Sequence, residues 1–191
     1  MKMLTYTISC PSVYEELIDI INDSFSKHEF PNLFKTSIVH PIPKTKNPSD
    51  VKQFRPISIQ CNLSKNFEKL VHEQLYEYLH QNNIIYGGQF GFRKGHSTSH
   101  ALVAITDFIY SDLNTGKFGI IVTLDLSKAF DKVVKEILIE KLAWYGIDNR
   151  WFKSYLEKRL QKVKLGNKTS STQNTLLGVP QGSILGPLLF I

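Results

Sequence analysis

The run FGIIVTLDL at residues 118–126 constrains this chain more than any other stretch. So apolar a segment predicts a central strand of a sheet. Alternation sets Ile121, Thr123 and Asp125 on one face and Ile120, Val122 and Leu124 on the other. A carboxylate near the end of such a strand is costly unless it is paired, metal-bound or solvated. Asp125 is therefore either a functional group or a cap for the next helix, and the local sequence leaves both open. Ser127 is placed to start that helix, with Phe130, Val134, Ile137, Leu138, Leu142 and Tyr145 on its buried face and Gly146 at its end. Asp131 falls in its first turns, where the helix dipole favours negative charge.

The rest of the chain predicts alternating helices and short strands. Pro11 and Ser12 open a first helix, with Ser12 and Glu15 at capping-box spacing and Val13, Leu17, Ile20, Ile21 and Phe25 at helical period. SIVHPIP (37–43) reads as extended, and its two prolines suit an edge strand or a loop better than a central strand. Ser64 starts a second helix, with Phe67, Leu70, Val71, Leu75, Tyr78 and Leu79 on one face. QFGFRKGHS (89–97) is a structured loop. A third helix carries Ala101, Leu102, Ile105, Phe108 and Ile109 and ends near Gly116. A short basic-aromatic helix over 151–160 leads into two strands, with a turn at Gly166 and Asn167. A glycine-proline loop follows over 178–187, then the apolar residues 188–191.

Charge is unevenly spread. Seven basic residues and one acid fall between Arg150 and Lys168, and that stretch alone matches the +6 formal charge of the whole chain. A second basic stretch holds Lys35, Lys44, Lys46, Lys52 and Arg55 against Asp50. Such clusters suit a phosphate backbone, or simply a solvated face. No apolar run approaches the roughly 20 residues of a membrane helix, and the first ten residues lack the apolar core of a secretory signal. Two cysteines, Cys10 and Cys61, make neither a disulfide framework nor a zinc site, so a reducing compartment, cytoplasm or nucleus, is expected. His96 and His100 are four apart, but no Cys or carboxylate cluster accompanies them.

Two further motifs bear on chemistry. In GVPQGSILGP (178–187) closely spaced glycines allow a backbone to approach a ligand, and Gln181 offers a donor and an acceptor. Arg55, after Lys44, adds a forked cation to a mobile one; both also read as ordinary surface charges.

Six blocks then stand in an order that resembles the reverse transcriptases of non-LTR, LINE-type (jockey-like) retrotransposons. They are FPNLFKTSIVHPIPK (30–44), FRPISI (54–59), QFGFRKGHST (89–98), TLDLSKAFDKV (123–133), WFKSYLEKRLQKV (151–163) and GVPQGSILGPLLF (178–190). The resemblance covers nearly the whole chain. It implies an α+β fold, the fingers and part of the palm of a right-handed polymerase, with fingers over about 1–117 and the start of the palm over about 118–191. It implies template-directed transfer of deoxynucleotides to a 3′ end, with RNA template, DNA primer and deoxynucleoside triphosphates as partners and two Mg²⁺ ions as cofactors. It casts Asp125 as the first metal-binding carboxylate, with the Leu126 carbonyl a further ligand, and Phe130 as the gate beneath the sugar. Lys44 and Arg55 would hold the triphosphate, and Gln181 and Gly182 would meet the nucleotide. Arg150, Lys153, Lys158, Arg159 and Lys162 are the candidates for nucleic-acid phosphate.

The chain departs from the family in one respect. No Asp-Asp pair occurs in it, so the second carboxylate hairpin, the thumb and the endonuclease are not among its residues. The expectation is a fragment that is inactive by itself and poorly soluble. The alternative is a non-catalytic transposon remnant or RNA-binding module.

Overall fold

Pro11 opens helix α1 (Pro11–Ser26) in the computed structural model, which describes residues 11–191 and side chains from residue 15 onward. Proline is tolerated at a first helical position because its missing N–H has no partner there anyway. Leu17 and Ile21, one turn apart, are buried. The Ser12 side chain of the expected capping box and the Val13 side chain are outside what is described, as is Cys10.

The sheet is organised around β1 (Thr36–Pro43). β2 (Phe54–Ile59) pairs with it antiparallel along its outer length, from Ile38 opposite Ile59 to Pro43 opposite Phe54. On its other side β3 (Leu160–Leu165) runs parallel, from Thr36 opposite Leu160 to Val39 opposite Val163. β4 (Lys168–Thr169) and β5 (Gln173–Asn174) both return antiparallel to β3. The prolines predict an edge strand, yet β1 is central. Pro41 and Pro43 lie beyond Val39, where pairing with β3 has ended, so their missing N–H groups cost no ladder bond on that side.

α2 (Asn62–Gln81) buries Phe67, Val71, Leu75 and Leu79 at the expected period. They meet Leu138 and Leu142 of α4 (Lys135–Trp144) and Trp151, Phe152, Tyr155 and Leu156 of α5 (Arg150–Leu156). Phe30 is the hub of this core, with its ring centroid 5.0 Å from Tyr155, 5.5 Å from Trp151 and 6.0 Å from Phe67, each edge-on. That is the arrangement ring quadrupoles favour. Trp151 Nε1 donates to Ser24 Oγ at 3.0 Å, which ties α5 to α1. α6 (Leu185–Phe190) closes the core with Leu185, Leu188 and Leu189.

Two expectations need correction. Residues 118–126 are not a strand. Phe118 is 99% exposed, Ile120 90% and Leu124 91%. A strand exists only where another backbone meets its N–H and C=O groups, and among the described residues nothing pairs with this run. α3 (Thr98–Asn114), capped by Ser97, is likewise bare, with Leu102, Ile105 and Phe108 in solvent.

The helix expected from Ser127 begins only at Lys135. Phe130–Lys132 is a single 3-10 turn instead. The carbonyls of Phe130 and Val133 accept from Val179 N (2.9 Å) and Gly178 N (2.8 Å), so the 178–187 loop takes acceptors that a helix would have used. Gly146, with φ +78°, ends α4 as expected. No helix among the described residues is long and apolar enough to cross a membrane.

Candidate nucleotide and nucleic-acid site

The β1–β2 hairpin carries the first two candidate residues. Ile42 stands opposite Arg55, and Lys44 follows β1 directly. The tip is shaped by Asp50, whose carboxylate accepts from Lys52 N at 2.8 Å while Gln53 Oε1 accepts from Ser49 N at 2.7 Å. Lys44 N donates to Gln53 O at 2.8 Å, and Lys44 Nζ to Lys52 O at 3.0 Å. Lys44, Lys46, Lys52 and Arg55 are all exposed, so this tip is a cationic projection.

The glycine-proline loop docks onto the same hairpin. Ser58 N, in β2, donates to Gln181 O at 2.8 Å. Gly182 follows with φ +118°, and a Cβ there would lie 2.6 Å from Ser58 O. Only glycine permits both that conformation and that approach. The other flank of the loop is fastened to the 130–133 segment by the two hydrogen bonds already described. A Cβ on Gly178 (φ +82°) would stand 2.7 Å from Phe130 O. A cavity of about 370 Å³ opens between these parts, with Pro56, Ser58, Asp131, Gln161, Pro180 and Gln181 among its lining. Phe130 stacks on Phe190 at 4.8 Å and takes an edge contact from Phe92 at 5.8 Å.

Arg55, Phe130, Gln181 and Gly182 thus sit on segments that are hydrogen-bonded to one another. Asp125 and Leu126 do not join them. Both lie exposed on the irregular 118–126 segment, and no group of three metal-ligating side chains occurs among the described residues. One carboxylate and one carbonyl fall short of the near-octahedral oxygen set that Mg²⁺ demands. The donors present do not fit a two-ion centre.

The basic stretch divides. Arg150 is exposed and forked onto Asp148, its Nη2 2.5 Å from Oδ2, and this holds the Asp148 carboxyl well below its ordinary range. Lys153 stands 4.0 Å from Glu157. Arg150, Lys153 and Glu157, with Lys27, Lys35 and Lys158, line a cleft of about 690 Å³ between α1 and α5. Lys162 lies on β3 opposite Ile38. Arg159 departs from the expectation of a surface cation. It is 3% exposed, with Nη1 donating to Tyr155 O at 3.0 Å and Cζ 4.7 Å from the Tyr155 ring centroid. Its planar, weakly hydrated head suits such an aromatic seat.

Sequence reasoning missed Glu68. It falls on the core stripe of α2, with Ser64 one turn before and Val71 and Leu75 after, and a charge on an apolar stripe was the available signal. Burial pushes its carboxyl up, while the Ile184 N–H, then Arg159, act the other way. Lys35 and Lys135 are buried too. Desolvation first, then the Arg159 charge, pulls both ammonium groups down.

Residues 42–191 match the family described as reverse transcriptase (RNA-dependent DNA polymerase), and the chain belongs to that family. It is 35% identical over 168 residues to the probable RNA-directed DNA polymerase from transposon BS of Drosophila melanogaster, an alignment covering 84% of this chain and 18% of that protein. It is 32% identical over 174 residues to the RNA-directed DNA polymerase from mobile element jockey of the same fly, covering 90% and 19%. The chain therefore spans about a fifth of the length of these relatives. Among solved structures, a partial Cas6-RT-Cas1–Cas2 complex aligns over 97% of this chain and 29% of its own, with a TM-score of 0.42 and 18% identity.

Proposed function

We propose that this chain is the nucleotide-contacting part of a retrotransposon RNA-directed DNA polymerase. In this reading Lys44 and Arg55 hold the triphosphate of an incoming deoxynucleotide. Gln181 and the bare backbone at Gly182 approach its sugar and base, and Phe130 lies beneath the sugar, where a 2′ hydroxyl would be refused. The observation that carries this is the docking of the 178–187 loop against β2 on one side and the 130–133 segment on the other. Phosphoryl transfer depends on positioned charge more than on covalent chemistry, and the hairpin tip supplies cations for that task. Exposed Arg150, Lys153 and Lys158, with half-buried Lys162, give template or primer phosphate a place to rest.

Mg²⁺ would supply charge neutralisation and activation of the 3′ hydroxyl. Asp125 and the Leu126 carbonyl do not by themselves make a site for it. The remaining ligands are not among the described residues, so the 191 residues alone are expected not to extend a primer. Primer extension that Asp125→Asn abolishes would overturn that expectation. The nucleotide reading itself is tested by binding of dTTP. Lys44→Ala and Arg55→Ala should each weaken it by about tenfold, as expected for loss of a charge-assisted contact.

A second reading, an RNA-binding module without catalysis, is favoured by the same basic cleft and by the isolation of Asp125. In that case RNA binding persists, steeply salt-dependent, while dTTP binding is absent.

A further inference from the structure

The loop that carries Gln181 and Gly182 is held from behind by a buried carboxylate. Glu68 has no exposed surface. Its Oε2 accepts the backbone N–H groups of Ile184 at 2.7 Å and Leu185 at 3.4 Å. Its Oε1 accepts from the Gln60 amide at 2.8 Å, and the Gln60 oxygen accepts from Arg159 Nη2 at 2.7 Å. These neighbours fix the orientation of the Gln60 amide, since the reverse would set donor against donor. A lone buried carboxylate is costly; here each oxygen has a donor, and a guanidinium stands one amide away.

The relay joins parts of the chain that are distant in sequence. Gln60 follows directly on β2, Glu68 belongs to α2, Arg159 follows α5, and Ile184 immediately precedes α6. Between Ile184 and Gln181 the loop has little freedom, because Ser183 N donates to Pro180 O at 3.1 Å and Ser183 Oγ accepts from Gly186 N at 2.8 Å. A displacement at Ile184 is therefore transmitted to Gln181 and to the Gly182 contact with Ser58. Nothing in this arrangement requires Glu68 to touch a ligand.

We propose that Glu68, backed by Gln60 and Arg159, is a positioning residue that fixes the turn at Gln181 and Gly182 against β2 in the orientation that meets the nucleotide. This rests on the reading of Gln181 as a nucleotide contact. The test uses the full chain and the variants Glu68→Gln, Gln181→Ala and their double. Two quantities are measured: the Kd for dTTP in magnesium buffer, and hydrogen exchange of peptides covering 178–191.

Glu68→Gln should raise exchange across 178–191 about tenfold while leaving α1 as in the wild type. Each single variant should weaken dTTP about tenfold, with the double no weaker than the weaker single, as for two groups acting through one contact. Effects that multiply, or unchanged exchange in 178–191, would overturn the proposal. If the wild-type chain binds no dTTP, the nucleotide reading fails, and exchange alone decides the clamp by the same criterion. Gln60→Leu keeps the Ile184 contact but cuts the relay, and should loosen the same segment to a smaller degree. Should Glu68→Gln not fold, unchanged exchange in Gln60→Leu would overturn the clamp.

Discussion

Replacing Gly178 with alanine tests the junction on which the site depends. Gly178 has φ +82°, and an added Cβ would meet three backbone atoms, Phe130 O at 2.7 Å, Asp131 Cα at 2.9 Å and Asp131 O at 3.0 Å. Backbone cannot swing away as a side chain can. The left-handed conformation alone costs an L-residue about 1–2 kcal/mol. Relieving the overlap means parting the loop from the 130–133 segment, which breaks the bonds from Gly178 N to Val133 O and from Val179 N to Phe130 O. Each contributes about 1 kcal/mol net. The total is a loss of roughly 3–4 kcal/mol, a large share of the 5–15 kcal/mol typical of a domain. Urea unfolding followed by tryptophan fluorescence measures it, because Trp151 is buried and reports on the core. Gly87→Ala is the control, since a Cβ there meets nothing within 4 Å, and its change should stay within about 0.5 kcal/mol. A Gly178→Ala loss no larger than that of Gly87→Ala would refute the docking of the loop.

Other outcomes follow from the same physics. Phe30→Ala should cost about 3–5 kcal/mol in the same assay, because the ring is the buried hub of the aromatic core. His72 has its pKa lowered from 6.5 by burial, so its neutral form is the one the fold prefers. Stability from this group is complete above pH 6.5 and is lost as pH falls from there through the lower folded value; His72→Gln should flatten that part of the profile. Leu124→Lys, at a side chain 91% exposed, should change stability by no more than about 0.5 kcal/mol and reduce aggregation in light scattering. A large destabilisation there would mean that the 118–126 run is buried after all.

Much of this was legible in the sequence, for identifiable reasons. The core stripes of α1 and α2 followed helical period, and the turn at Gly166 and Asn167 follows β3 where the glycine placed it. Local chemistry determines such features. The position of β1 in the sheet was not legible, because the prolines speak for one side of a strand and partners for both. The 118–126 run failed for a related reason. Its apolar residues state a need for covering strands, and the described residues provide none. The late start of α4 came from the competition of Gly178 and Val179 for carbonyls nearly fifty residues earlier, which no local window contains. The family resemblance pointed to Arg55, Phe130, Gln181 and Gly182, whose segments are hydrogen-bonded to one another, but not to what holds them. Glu68 and the inward turn of Arg159 depend on a relay through Gln60 that spans more than a hundred residues.

The most direct measurement is photolabelling of the full chain with 8-azido-dATP, followed by peptide mapping. Labels confined to 54–59 and 178–187, and competed by dTTP, are the expected result, because both segments border the 370 Å³ cavity. Labels only along the cleft lined by Arg150, Lys153 and Lys158, or no competed label at all, would contradict the account.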